Sequence, residues 1–175
     1  NMIIRIVKLP AMRVASISAV STSPENTAWE KFVAWAKPKE FFDNPTNYMI
    51  IGGNIPAVEG GFPGPTEENP EYGYEFMVNI GPQMEPEEDV LVKEIPAGLY
   101  AVTRLKFSIG TIVKTWQELW EWVRTSEDYT FNKGIVKILP MGGFENHIGP
   151  FEGPNFELSA GQIIDLYLPI KEKKR

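Results

Sequence analysis

The chain has 175 residues, a formal net charge of −6 at pH 7 and no cysteine. The missing thiols exclude a disulfide framework, thiol catalysis and thiolate metal sites. The acidic balance argues against a nucleic-acid surface, which needs clustered Lys and Arg; the one basic cluster, Lys171 to Arg175, reads as a solvated terminus.

An apolar fraction of 43% is enough for a real core, and the length suits one domain spanning 1–175. No apolar run approaches the roughly 20 residues of a membrane span, and the N-terminus lacks a signal-peptide pattern. A cytoplasmic protein without membrane contact is expected.

Ile3 to Val20 is rich in β-branched residues, and the interruption at Pro10 fits two extended pieces or one strand with an edge kink. A helix follows. Ser23 is the expected N-cap, Pro24 suits the first helical position, and Pro38 limits continuation beyond Lys37. Trp29, Phe32, Val33 and Ala36 fall on one face of it. Tyr48 to Ile51 predicts a short strand, and Gly52 to Gly73 a long Gly- and Pro-rich loop. Tyr74, Phe76 and Val78 then alternate with Glu75, Met77 and Asn79 as a strand with two unlike faces.

The second half repeats this order. Asp89 to Ile95 and Leu99 to Phe107 predict paired strands turning near Pro96-Ala97-Gly98, and a helix starts near Thr111 or Ile112. Val113, Trp116, Leu119, Trp120 and Val123 share one helical face, while Trp122 lies round the side, free to meet a groove or loop. Val136 to Leu139, Phe156 to Leu158 and Ile163 to Ile170 are the remaining strand candidates, with Met141 to Pro154 as a second long loop.

Leu9-Pro10-Ala11 matches Ile95-Pro96-Ala97, and the helix pattern from Trp29 to Trp35 matches that from Trp116 to Trp122. The two matches lie almost in register, which points to an internal duplication with half-repeats of about 2–84 and 85–175. The expected fold is α+β: the order strand, helix, strand, strand, repeated, packs two helices on one face of a mainly antiparallel sheet and leaves the opposite face, or the seam between the halves, to form a cavity.

Familiar catalytic signatures are missing, and neither metal nor cofactor is expected. The single histidine, His147, sits in a Gly-rich stretch and reads as a surface residue. Glu157, between Phe156 and Leu158, points to the face opposite its apolar neighbours; Asp165 and Tyr167 share a face on the next strand. A carboxylate among aromatic rings favours an organic cation, or its raised pKa suits it to acid–base work.

The Leu-Pro-Ala and Ile-Pro-Ala-Gly strand openings, the Trp-containing helix at 116–122, Phe156-Glu157 and the closing Asp165 to Ile170 together resemble the GyrI-like, or AraC effector-binding, superfamily. That resemblance implies a pseudo-twofold duplication of βαββ units with a ligand groove between the halves, in a bacterial multidrug-binding type of domain of the SHS2 kind, and Glu157 matches the family's pocket glutamate, with Tyr167 as a pocket tyrosine. Ser159 stands where the family's Phe-Glu-x-Tyr pattern has Tyr.

The leading expectation is therefore stand-alone binding of a lipophilic cationic or aromatic molecule. Glu157 is the counter-charge, and Tyr74, Tyr100, Trp116, Trp120 and Tyr167 are candidate walls. A hydrolase of cyclopropane-bearing compounds, using Glu157 and Tyr167, is the alternative, and a gyrase-inhibitor-like interaction is a third. Family members that act as regulators carry a helix-turn-helix, and none fits in these residues, so this chain is not expected to bind DNA directly.

Overall fold

The computed structural model describes residues 2–44, 47–55, 65–137, 139, 142–151 and 158–174. Nine strands and two α-helices occur among them: β1 (Arg5–Leu9), β2 (Met12–Ser21), α1 (Pro24–Ala36), β3 (Ile50–Ile55), β4 (Tyr72–Asn79), β5 (Leu91–Ile95), β6 (Gly98–Lys106), α2 (Ile109–Thr125), β7 (Tyr129–Phe131), β8 (Phe144–Gly149) and β9 (Ile163–Glu172). Every pairing is antiparallel, in the order β1-β6-β9-β8-β3-β4-β2-β5, and β7 also pairs with β9. The protein is thus α+β, with two helices on a mostly antiparallel sheet.

Register fixes which side chains share a face. Ala101 lies opposite Leu168, Thr103 and Glu145 opposite Leu166, and Gly52 opposite both Glu145 and Phe76. Because alternate residues of a strand point to opposite faces, these positions form one continuous face. Both helices rest on it. Helix α1 lays Trp29, Phe32 and Val33 on Ala15, Ile17, Phe76 and Val78, whereas α2 lays Leu119 and Val123 on Ala101, Leu105 and Leu168. The other face carries Val14, Ile51, Met77, Tyr100, Val102, Phe144 and Tyr167, covered by Ile135 and Leu139.

The helices begin differently from one another. Ser108 Oγ accepts a hydrogen bond from the Thr111 N–H at 3.2 Å and caps α2. Ser23, the expected cap of α1, makes no such bond, and its own N–H donates to Ser21 Oγ at 3.1 Å. The start of α1 rests instead on Pro24, whose missing N–H costs nothing at the first helical position. Ser108→Ala is expected to lower stability by about 1 kcal/mol, read from urea unfolding, and Ser23→Ala by much less.

Three expectations are corrected. β5 and β6, expected to pair across the Pro96-Ala97-Gly98 turn, pair elsewhere, β5 with β2 and β6 with β1 and β9. The stretch 141–154 is not simply a loop, since Phe144–Gly149 forms β8, held on both sides by β3 and β9. Its glycines punctuate a short alternating run rather than replace it, and pairing with two central strands satisfies the backbone along it. Residues 133–137 form a 3₁₀ helix rather than entering a strand. There Asn132 Oδ1 accepts from the Gly134 N–H and Leu139 N–H donates to the Ile135 carbonyl, which curls the chain back over the sheet. Phe156 and Glu157 lie outside the described residues.

Candidate functional site

Helix α2 is amphipathic but buries only part of its apolar stripe. Leu119 and Val123 are fully covered, whereas Val113 is 53% exposed and Trp120 39%. The uncovered part forms one wall of a cleft of about 1000 Å³, at the upper end of the usual range for small-molecule sites. Its floor is Gly52 and Gly53 of β3 and the Gly143–Glu145 segment leading into β8; Phe131 of β7 and Glu25 of α1 complete its rim. Trp120 and Phe131 meet with ring centroids 4.8 Å apart.

Two glycines let the floor lie so close to the walls. A Cβ on Gly52 would stand 2.6 Å from Tyr74 Oη and 2.9 Å from His147 Nε2. One on Gly143 would stand 2.6 Å from the Tyr167 carbonyl oxygen and 3.0 Å from the Trp116 ring. Tyr74, His147 and Trp116 therefore pack into space that any larger residue would occupy.

Glu145 projects from this floor with its side chain 18% exposed. Tyr74 Oη donates to its Oε2 at 3.4 Å, and Trp116 also hydrogen-bonds to it. Burial raises the carboxyl to about 7, the two hydrogen bonds oppose that rise, and the negative charge of Glu25 reinforces it. His147 Nε2 lies 3.9 Å from Oε2, but burial holds that imidazole down at about 4, so it is neutral near pH 7 and offers no counter-charge. Burial first, and then Glu145, push the Tyr74 hydroxyl well above its ordinary value, keeping it a proton donor.

Two other buried carboxylates behave differently. Glu75 is held by Lys93 Nζ at 2.7 Å and Ser16 Oγ at 2.8 Å. Asp165 is held by Arg104 Nε at 2.8 Å and Arg5 Nη2 at 3.2 Å. Both lie on the face away from the helices. Among the described residues, Glu145 has no Lys or Arg within ion-pairing distance.

Of the expected wall residues, Trp116 and Trp120 line the cleft, and Tyr74 stands beneath its floor with its hydroxyl on Glu145. Tyr100 and Tyr167 are placed on the opposite face, where the Tyr167 ring stacks on Phe144 at 4.7 Å and meets Tyr100 at 5.8 Å. Trp122 stacks near Tyr129. Glu157 falls outside the described residues. His147 is 7% exposed, so it is a buried residue and not a surface one; the strand β8 turns it inward among Trp29 and Phe76. Glu145 lies within the stretch expected as a loop, though Phe144-Glu145 is itself a Phe-Glu pair on a strand that pairs with the closing strand β9.

A cleft of this shape on such a sheet defines a small-molecule-binding domain. The sequence matches the family described as GyrI-like small molecule binding domain over residues 2–134, and the chain belongs to that family. No curated protein matches the sequence. Among solved structures, the EcmrR C-terminal domain is similar at 15% identity and a TM-score of 0.64, over 98% of this chain and 99% of that one. In the EcmrR–DNA complex the same similarity spans only 58% of the EcmrR chain. An uncharacterized conserved protein from Listeria innocua is similar at 9% identity and a TM-score of 0.58, over 96% and 92% of the two chains. An integron cassette protein of Vibrio cholerae is similar at 12% identity and 0.51, over 96% and 95%.

Proposed function

We propose that the cleft binds a lipophilic organic cation, with Glu145 as its counter-charge and Trp116, Trp120 and Phe131 as its ring-bearing walls. The observation that carries this reading is a carboxylate at the floor of an aromatic cleft without a basic partner, where the other two buried carboxylates have one. An unpaired charge there is unfavourable, which holds the carboxyl up at about 7, and an arriving cation favours its ionised form; ring faces then add their own attraction.

Strand order supports reading the chain as a duplicated unit. β5-β2-β4-β3 and β1-β6-β9-β8 have the same internal arrangement, each with its helix between the second and third strands of the sequence repeat, and Gly52 faces Glu145 where they meet. The cleft is then the groove between two like halves.

Tetraphenylphosphonium and tetraphenylborate have the same shape and opposite charge. The cation is expected to quench tryptophan fluorescence saturably and the anion not to. Glu145→Gln is expected to weaken the cation by at least about tenfold, equivalent to ~1.4 kcal/mol. Equal binding of both ions, or an unchanged affinity in the variant, would sink the assignment.

A second reading rests on the carboxyl at about 7 beside the Tyr74 hydroxyl. Glu145 can take a proton from water as that water attacks an electrophilic carbon and return it to the leaving atom, while the Tyr74 hydroxyl holds the carboxylate in place. Incubation with a cyclopropane-bearing compound decides it. Mass spectrometry would show addition of one water, absent with Glu145→Gln.

A further inference from the structure

The cation reading uses Glu145 and leaves a second carboxylate of the same cleft without a role. Glu25, the second residue of α1, reaches the cleft rim. Its Oε1 accepts a hydrogen bond from Tyr72 Oη at 2.5 Å, and the positive end of the helix dipole favours a carboxylate at that place. Among the described residues, no Lys or Arg forms an ion pair with Glu25.

Strand β4 ties the two acids together. Tyr72 and Tyr74 are alternate residues of it and so point to the same face. Each holds one carboxylate, Tyr72 that of Glu25 and Tyr74 that of Glu145. Two residues of a strand span ~7 Å, which sets the distance between the stems of the two donors. The acids also feel one another, since the Glu25 charge raises the Glu145 carboxyl beyond what burial does.

The other charges lining the cleft do not relieve this pair. Glu121 and Arg124 are bound to each other. Lys173 Nζ donates to the carbonyl of Ser126, the residue that ends α2, ~15 Å along the helix from Trp116. Two like charges in one sheltered cleft repel, and a ligand that brings two positive charges removes that repulsion while gaining two attractions.

We propose that the cleft selects flat aromatic dications over monocations of the same shape, with Glu145 meeting the inner charge and Glu25 the outer one. This inference rests on the cation reading and narrows its ligand class to two positive nitrogens set one biaryl length apart, with the rings against Trp116 and Trp120.

Methyl viologen carries two such charges, and para-phenylpyridine methylated on nitrogen has nearly the same outline with one. Titration calorimetry of the whole chain at low ionic strength compares them directly. The dication is expected to bind at least about tenfold more tightly, the worth of one further charge pair at a partly exposed site. Glu25→Gln, which keeps an acceptor for Tyr72, should remove that preference while weakening the monocation much less. Glu25→Asp, which keeps the charge, should retain part of it. Glu145→Gln should weaken both ions.

Equal affinity for two ions that both bind would overturn this inference and leave the cation reading standing. Binding of neither would remove both. A preference for the dication that persists undiminished in Glu25→Gln would show that its second charge is met elsewhere, and the role given to Glu25 would fall.

Discussion

Gly52→Ala is expected to weaken cation binding while leaving the sheet assembled. The new methyl would lie 2.6 Å from Tyr74 Oη, 2.9 Å from His147 Nε2 and 3.1 Å from Tyr74 Cε1. These are the ends of two side chains, so they can move, but both are buried and the Tyr74 ring is backed by Phe76 at 5.0 Å. Displacing Tyr74 breaks its hydrogen bond to Glu145. That bond favours the ionised carboxylate, so its loss raises the carboxyl further and makes ionisation for a cation less favourable. Overpacking of this kind costs about 1–3 kcal/mol of stability. Affinity for tetraphenylphosphonium should fall by at least about tenfold. Tyr74→Phe in the Gly52→Ala background removes the hydroxyl that clashes most and should restore part of the stability but not the affinity. A Gly52→Ala protein as stable and as tightly binding as the parent would refute this account of the floor.

Local pattern carried most of the fold. Both helices follow from their apolar spacing, and β4 from its alternation of Tyr74, Phe76 and Val78 with Glu75, Met77 and Asn79. Helix α2 begins at Ile109, a little ahead of its expected start, because the cap is Ser108 and not a residue nearer the apolar stripe. What local pattern does not contain is pairing. β8 is short and bounded by glycines, and it becomes a central strand only through β3 and β9, which are distant in sequence. The burial of Glu145 and His147 follows from that pairing, so neither could be recognised without it. Trp116 and Trp120 share a stripe with Leu119 and Val123 that periodicity treats as uniform. The sheet beneath α2 covers only part of it and leaves the tryptophans to the cleft. Tyr167 illustrates the same limit: alternation places it with Asp165, but only the register shows that their face is the one covered by Ile135 and Leu139.

Stability should respond to pH in opposite directions through Glu145 and His147. The Glu145 carboxyl rises from 4.5 to about 7 on folding, chiefly through burial. Between those values the folded protein keeps a proton that the unfolded chain has lost, so this contribution is complete below 4.5 and disappears as pH rises to 7. Burial lowers the His147 imidazole from 6.5 to about 4. Here the unfolded chain holds the extra proton, so stability is complete above 6.5 and is lost as pH falls towards 4. Each slope is at most ~1.4 kcal/mol per pH unit, and over their shared range the two oppose each other. Single variants should separate them. Relative to the parent, Glu145→Gln should gain stability as pH rises from 5 to 8, reaching on the order of 2–3 kcal/mol after allowance for water in the cleft. His147→Phe should gain relative stability as pH falls from 7 to 5. Urea unfolding of the three proteins at several pH values gives the difference curves, and a flat curve for Glu145→Gln would show that the carboxyl is not held protonated by folding. The same proton governs the ligand: a cation binds the ionised carboxylate, so its affinity should decline as pH falls below about 7, and Glu145→Gln should lose that dependence.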